Sequence, residues 1–326
     1  MAGPGLAVII GATGPTGIHL AGELIARGIR VRVVARRREA LERAFSGVDV
    51  ERLAADALDR DALRRAVAGA DLVFDCIGLP AAQMRQHPLA ARAITEAASG
   101  AGARCVQVSS YWSYLPISRL PLGESHPRAG GNAHIRARRE AEDVMLAAGA
   151  AVAQLPDFFG PHVHASTLQR PLEEATVGSA MSFVGAADSE REYAFVPDAM
   201  AMVAELALRD EAFGHAWLVP GSGPLSPARA AAIAGRHLGR EVKVRTAPVW
   251  LLRLLALSSA ELREISPMLP HYARPLSFDG SRLRALLGEL RTTPYEEAIP
   301  ATLDWIARRC SRSGAGRSEG AWYKIL

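Results

Sequence analysis

The stretch Leu6-Ala7-Val8-Ile9-Ile10-Gly11-Ala12-Thr13-Gly14-Pro15-Thr16-Gly17 decides how this 326-residue chain is read. Five apolar residues make a short buried strand, and the glycines that follow let the backbone turn sharply and come close to a ligand. A helix is expected from about Ile18, with Ile18, Ala21, Leu24 and Ile25 on one face and Gly28 just past its end. N–H groups at the start of such a helix point at an anion, so this order of elements cradles a pyrophosphate. The spacing is Gly-x-x-Gly-x-x-Gly, not Gly-x-Gly-x-x-Gly. Position carries the signal here: a strand before the glycines and an amphipathic helix after them.

Outward from this turn, residues 29–35 read as a second strand that ends on Arg36-Arg37-Arg38. The end of the second strand is where a dinucleotide-binding sheet meets the adenosine ribose. An acidic residue there would accept from a free 2′-hydroxyl, whereas arginine suits a 2′-phosphate through charge-assisted contacts. NADP(H) is therefore favoured over NAD(H), with Arg36 ahead of Arg37. A third strand over 48–53 leads to Asp56, expected at the adenine edge, as the N-cap of a helix over 60–68, or as both. A fourth strand, 71–77, closes on Gly78, over whose bare backbone a cofactor would pass. A helix over 88–99 and a fifth strand over 104–108 follow, and the strand delivers Ser109, Ser110, Tyr111, Trp112, Ser113 and Tyr114. Strands alternating with helices predict an α/β fold, a Rossmann doubly wound parallel sheet with its ligands at the strand C-terminal ends.

Beyond a Pro- and Gly-rich loop over 116–131, a helix over 134–148 stacks His134, Arg138 and Glu142 one turn apart. A sixth strand, 150–155, runs into Pro156-Asp157-Phe158-Phe159-Gly160-Pro161. Short strands (181–184, 193–196, 216–219, 241–245) then mix with helices (227–238, 249–257, 295–308). The expected organisation is a Rossmann core over 1–160, a smaller substrate lobe over 161–310 interleaved with the last core elements, and a mobile Ser/Gly/Arg-rich tail over 311–326. The helix around Trp250, Leu254 and Leu255 is expected to pack in the core or at a dimer contact.

Composition narrows the classes further. With 38 basic and 34 acidic residues the formal charge is only +4, and no basic stripe interleaved with aromatics marks a nucleic-acid surface. Cys76, Cys105 and Cys310 are scattered without metal-ligand spacing, a pattern of buried thiols in a reducing compartment. The N-terminal apolar run lacks a basic flank, and 249–257 is too short to span a bilayer and is interrupted by Arg253, so a cytoplasmic protein with a small-molecule substrate is expected.

Taken in order, Gly11-x-x-Gly14-x-x-Gly17, Ala35-Arg36, Ala55-Asp56-Ala57-Leu58-Asp59, Val108-Ser109-Ser110, Asp157-Phe158-Phe159-Gly160-Pro161 and Phe195-Val196-Pro197-Asp198 resemble the extended and atypical short-chain dehydrogenase/reductase superfamily, in its NAD-dependent epimerase/dehydratase-like branch. The resemblance covers about residues 5–308. It implies cofactor contacts from the glycine turn (Gly11, Thr13, Gly14, Pro15, Thr16, Gly17), from Arg36, Arg37, Asp56 and Ala57, and from the strand ends at Ile77, Gly78, Ser109, Pro156 and Phe158. Ser110 falls on the family's catalytic serine or threonine, which hydrogen-bonds the reacting substrate oxygen. A homodimer is also common among such relatives.

One piece departs from the pattern. Where the family carries Tyr-x-x-x-Lys, counting back from Glu142, this chain has His134-x-x-x-Arg138. Arg138 can still hydrogen-bond the nicotinamide ribose, but its pKa is too high for it to act as a proton donor. His134 either exchanges the proton or is a plain helix-start residue in a chain whose chemistry has moved elsewhere. Tyr111 is a second candidate. Tyr114 is a pocket residue or a packing aromatic. Asp157, His162 and His164 are expected to line the substrate pocket; the His162-x-His164 pair has no carboxylate or cysteine to complete a metal shell, so no metal is assigned. Arg191 stands where sugar-nucleotide relatives bind substrate phosphates, or is an exposed turn arginine.

The leading expectation is an NADPH-dependent oxidoreductase moving hydride to or from a carbonyl, imine or conjugated double bond. Ser110 would polarise the substrate, and His134 or Tyr111 would handle the proton. The alternatives are a nucleotide-sugar epimerase or dehydratase, which the missing Tyr-x-x-x-Lys weakens, and a non-catalytic NADP-binding redox sensor.

Overall fold

A computed structural model describes residues 5–164, 166–259, 263 and 266–313. In its first half β1 (Leu6–Ile10), α1 (Pro15–Ala26), β2 (Arg30–Ala35), α2 (Arg38–Ala44), β3 (Glu51–Ala54), α3 (Arg60–Val67), β4 (Leu72–Asp75), α4 (His87–Gly100), β5 (Arg104–Ser110), α5 (Ala133–Ala147) and β6 (Ala151–Leu155) alternate in order. Then come β7 (Asp157–Phe159), α6 (Gln169–Thr176), β8 (Met181–Val184), β9 (Arg191–Phe195), α7 (Val196–Leu206), β10 (Ala216–Leu218), β11 (Pro224–Leu225), α8 (Pro227–Leu238), β12 (Val244–Ala247) and α9 (Val249–Leu255). The helices α10 (Leu269–Tyr272), α11 (Ser281–Leu287) and α12 (Tyr295–Ser313) follow.

The main sheet is parallel and seven-stranded, in the order β10-β6-β5-β4-β1-β2-β3. Its wiring reverses between β1 and β4, and an open α/β sheet binds its ligand at such a switch point, beyond the strand C-terminal ends. β1 is apolar throughout because both of its faces are covered. Ala7 and Ile9 join a core with Leu20 and Leu24 of α1 and Met200 and Val203 of α7. Leu6, Val8 and Ile10 join another with Leu63 of α3 and Ile94 of α4.

The second lobe has its own core, in which Phe159, Leu172, Phe183, Tyr295 and Ile299 pack together. It is built on two small sheets, β11-β9-β7 and β12-β8. Elements from the second half return to the first: α7 packs against the core face that α1 covers, and β10 completes the main sheet beside β6.

Several boundaries move. The first helix begins at Pro15 rather than Ile18, because proline's fixed φ suits the first helical position and its missing N–H costs nothing there. The third strand starts at Glu51, since Gly47 at φ +73° turns the chain just before it. Asp59, not Asp56, caps α3, accepting from the N–H groups of Asp61 and Ala62. β12 is displaced to Val244–Ala247 by its parallel pairing with Met181–Val184. Trp250 and Leu254 are exposed, so α9 does not bury them in the core. Residues 311–313 continue α12, and the rest of the expected tail, 314–326, lies outside the described residues. Among the described residues no helix is long and apolar enough to cross a membrane.

Candidate active site

Two of the three glycines in the first turn are demanded by the protein itself. A Cβ on Gly11, at φ +81°, would lie 2.7 Å from the Cys76 carbonyl oxygen, and one on Gly17 would lie 2.5 Å from Ala12 Cα. Gly14 differs: its nearest atom would be Gly11 O at 3.5 Å, so the bare side of Gly14 faces outward. Gly14 is also the N-cap of α1, no side chain caps that end, and no acidic residue stands in the first turn. The free N–H groups and the positive end of the helix are thus left for an anion. Thr13 and Pro15 are half-buried around this opening, whereas Thr16 turns inward against the Cys76 thiol.

The turn is laid across the end of β2. Gly11 N and Ala12 N both donate to Val34 O, at 2.9 and 3.1 Å, which brings Arg36 alongside. Arg36 and Arg37 are exposed and their side chains make no hydrogen bond or ion pair within the described residues, while Arg38 pairs with Glu42 at 3.0 Å. Asp56 is exposed, with one oxygen accepting from Leu58 N at 2.9 Å. Ala57 and Ile77 are half-buried, and Gly78 stands open with no atom near its missing side chain. Pro156 is buried and Phe158 half-buried behind β6.

At the end of β5 the two serines part company, as alternation along a strand requires. Ser110 is half-buried, its Oγ 3.4 Å from Trp112 N. Ser109 faces inward and its Oγ donates to Glu142 Oε1 at 2.5 Å, so the expected Ser109 contact with cofactor is corrected: its hydroxyl is spent in the core. Glu142, fully buried, also accepts from Gln154 Nε2 at 2.7 Å and pairs with Arg128 at 3.1 Å. Burial pushes the Glu142 carboxyl above the usual range, and these donors hold it back. Tyr114 belongs to this network, donating to Gln154 Oε1 at 2.9 Å. Its phenol is pushed up to about 12 by burial and Glu142, so it is a core residue and not a substrate contact.

His134 is half-buried at the second position of α5, its backbone N–H capped by Asn132 Oδ1 at 2.9 Å. One turn later Arg138 makes no hydrogen bond within the described residues, and its Nε is buried without a partner. Asp75 and Glu142 provide the compensating negative field. Beside it His87, which sequence reasoning missed, is buried with Nε2 unpartnered. Burial and the Arg138 guanidinium push its pKa down to about 3. A guanidinium held in this way fits the ribose of a nicotinamide nucleotide, as Gly14 and α1 fit its pyrophosphate. Arg138 and Arg36 would hold the two riboses, and the bound cofactor would supply or accept hydride.

The remaining predicted residues lie deeper than expected. Tyr111 packs edge-on to Phe278, ring centroids 6.0 Å apart, and its Oη accepts from Arg191 Nη2 at 3.0 Å; at 1% exposure it does not open on a pocket. Arg191 is not a turn residue. It lies buried in β9, where its Nη1 donates to His271 O and Arg274 O and its Nη2 meets Asp157 Oδ2 at 3.3 Å. Asp157 also accepts from Thr167 Oγ1 at 2.8 Å. His162 sits at φ +65°, so the chain turns there rather than running extended to His164. Both rings face Trp305, and His162 meets His19 of α1 edge-on at 5.6 Å. Burial lowers the pKa of all three imidazoles. Among the described residues no group of three or more His, Cys, Asp or Glu is placed to hold a metal.

Residues 11–150 match a family model described as NAD(P)H-binding. The sequence matches no curated protein. Among solved structures the epimerase Mth375 from Methanothermobacter thermautotrophicus aligns with a TM-score of 0.80 at 18% identity, over 94% of this chain and 93% of that one. The fold is the Rossmann-like α/β fold of such solved epimerases. UDP-glucuronic acid 4-epimerase from Bacillus cereus, in complex with UDP-glucuronic acid and NAD, shares this fold with a TM-score of 0.77 at 12% identity, over 93% and 99% of the two chains. dTDP-glucose 4,6-dehydratase from Bacillus anthracis, in complex with NAD, does so at 0.75 and 12%, over 93% and 96%. The nucleotide-binding half of the resemblance read from the sequence agrees with the NAD(P)H-binding match over residues 11–150.

Proposed function

We propose that the chain is an NADPH-dependent oxidoreductase acting on a small carbonyl, imine or conjugated double bond. The observation that carries this reading is a pair of arginines whose side chains make no hydrogen bond within the described residues: Arg36 just past β2, and Arg138 on α5 with its Nε buried and unpartnered. Arg36 matches a 2′-phosphate by charge and hydrogen-bonding geometry. Arg138 orients the nicotinamide ribose, and Ser110 donates to the substrate oxygen as negative charge develops on it.

The nucleotide-sugar epimerase or dehydratase is the second reading, favoured by the bound ligands of the solved relatives. Two features weigh against it. His134 and Arg138 replace the tyrosine and lysine that such reversible chemistry uses. The Arg191 guanidinium is already committed to two carbonyls, a phenol and a carboxylate, which leaves little of it for a diphosphate.

Titration of nicotinamide fluorescence separates the cofactor claims. Arg36→Ala should weaken NADPH about 10-fold or more, in line with one lost charge-assisted contact, and leave NADH nearly unchanged; equal losses would remove the 2′-phosphate assignment. Ser110→Ala should lower turnover of an aldehyde panel about 100-fold at unchanged NADPH affinity.

A further inference from the structure

We propose that Tyr272 donates the proton to the substrate oxygen in this site. The proposal rests on the oxidoreductase reading above and fills the place left when His134 and Arg138 stand for tyrosine and lysine.

The argument is one of elimination followed by placement. Tyr111 is sealed in the core at 1% exposure with its Oη accepting from Arg191 Nη2, and Tyr114 Oη spends its proton on Gln154 Oε1 at 2.9 Å. Tyr193 has Thr167 and Arg191 beside it, and Tyr295 Oη donates to Tyr193 O and Gly223 O. Among the described residues Tyr272 is the tyrosine whose phenol no hydrogen bond engages.

Its place is also specific. Its ring leans on Trp112, centroids 6.4 Å apart, and Trp112 N is the group bonded to Ser110 Oγ. Tyr111, which follows β5, Asp157 at the start of β7 and Arg191 at the start of β9 are its charged and polar neighbours. The segment that carries it is pinned on two sides. Arg191 grips the carbonyls of His271 and Arg274, and Asn132, the N-cap beneath His134, donates to Pro267 O at 3.3 Å. Burial, Asp157 and Tyr111 keep the phenol protonated well above neutral pH, the state in which an acid must wait.

In the reducing direction the Tyr272 Oη–H bond breaks, and its proton goes to the substrate oxygen as the carbonyl π pair collapses onto that oxygen. The nicotinamide cofactor, when bound, would supply the hydride for the new C–H bond. The phenolate left behind lies near the Arg191 guanidinium and recovers a proton from water.

The test begins with an assay that needs no turnover. The full chain is labelled with 3-fluorotyrosine, and the ¹⁹F resonance lost in Tyr272→Phe is assigned to this residue. Adding NADP⁺ and then 4-nitrobenzaldehyde should shift it; a resonance unmoved by both overturns the proposal. In NADPH-dependent reduction of the same aldehyde, Tyr272→Phe should lower kcat at least ~100-fold, the usual contribution of a positioned acid, with NADPH affinity retained. A variant with wild-type kcat overturns the proposal and leaves the oxidoreductase reading standing. Failure of the wild-type chain to bind NADPH removes that reading itself.

Discussion

The two ends of the candidate site are built by opposite means. At β1 and β2 the site is made of backbone: glycines pressed against Cys76 and Ala12, an uncapped helix start, and a carbonyl of β2 that accepts two N–H groups. At β5 and β6 it is made of buried side chains, where Ser109, Glu142, Gln154 and Tyr114 form one connected network beneath Ser110. A backbone site depends on a few consecutive residues. A side-chain site depends on partners spread along the chain, so one replacement can carry its chemistry to another element.

The largest effect should come from the second kind of site. Glu142→Ala removes a fully buried carboxylate and strands Ser109, Gln154 and Arg128, which should cost about 3–5 kcal/mol. Urea unfolding of variant and wild type reads this directly, and a loss under about 1 kcal/mol would mean the network is not continuous.

A smaller and more selective effect tests the backbone site. Gly14→Ala adds a methyl group that meets nothing of the protein closer than 3.5 Å, so its melting temperature should stay near wild type while affinity for NADPH falls. Gly17→Ala should instead lose stability, because its Cβ would overlap Ala12. If both variants melt alike, the division between the ligand-facing glycine and the packing glycine is wrong.

The smallest effect is a slope against pH. With His87 held near 3 in the folded chain against about 6.5 unfolded, the folded state binds fewer protons between those values. Stability is therefore complete above about pH 6.5 and declines as acidification proceeds toward 3. Thermal melts from roughly pH 7 to roughly pH 5 should fall less steeply for His87→Phe than for wild type. Equal slopes would show that His87 titrates as freely in the fold as outside it.

The same contrast explains what could be read in advance. The glycine turn, the alternation of elements and Arg36 were legible because each is a local pattern with a fixed place in a doubly wound sheet. Ser109 was misassigned although the period of two along β5 already required one of Ser109 and Ser110 to face inward. Tyr111 and Arg191 were legible as polar residues near the site, but not as partners, because 80 residues separate them. His19 and His162 likewise meet only when the second lobe folds back on α1. No local signal marked Tyr272, whose neighbours come from β5, β7 and β9.

Arg191 holds the segment around α10 by two main-chain carbonyls, not by any side chain of that segment. Since every residue owns a carbonyl, this clasp is indifferent to sequence. The stretch can exchange its side chains while keeping its seat, so its surface can vary at little risk to the fold.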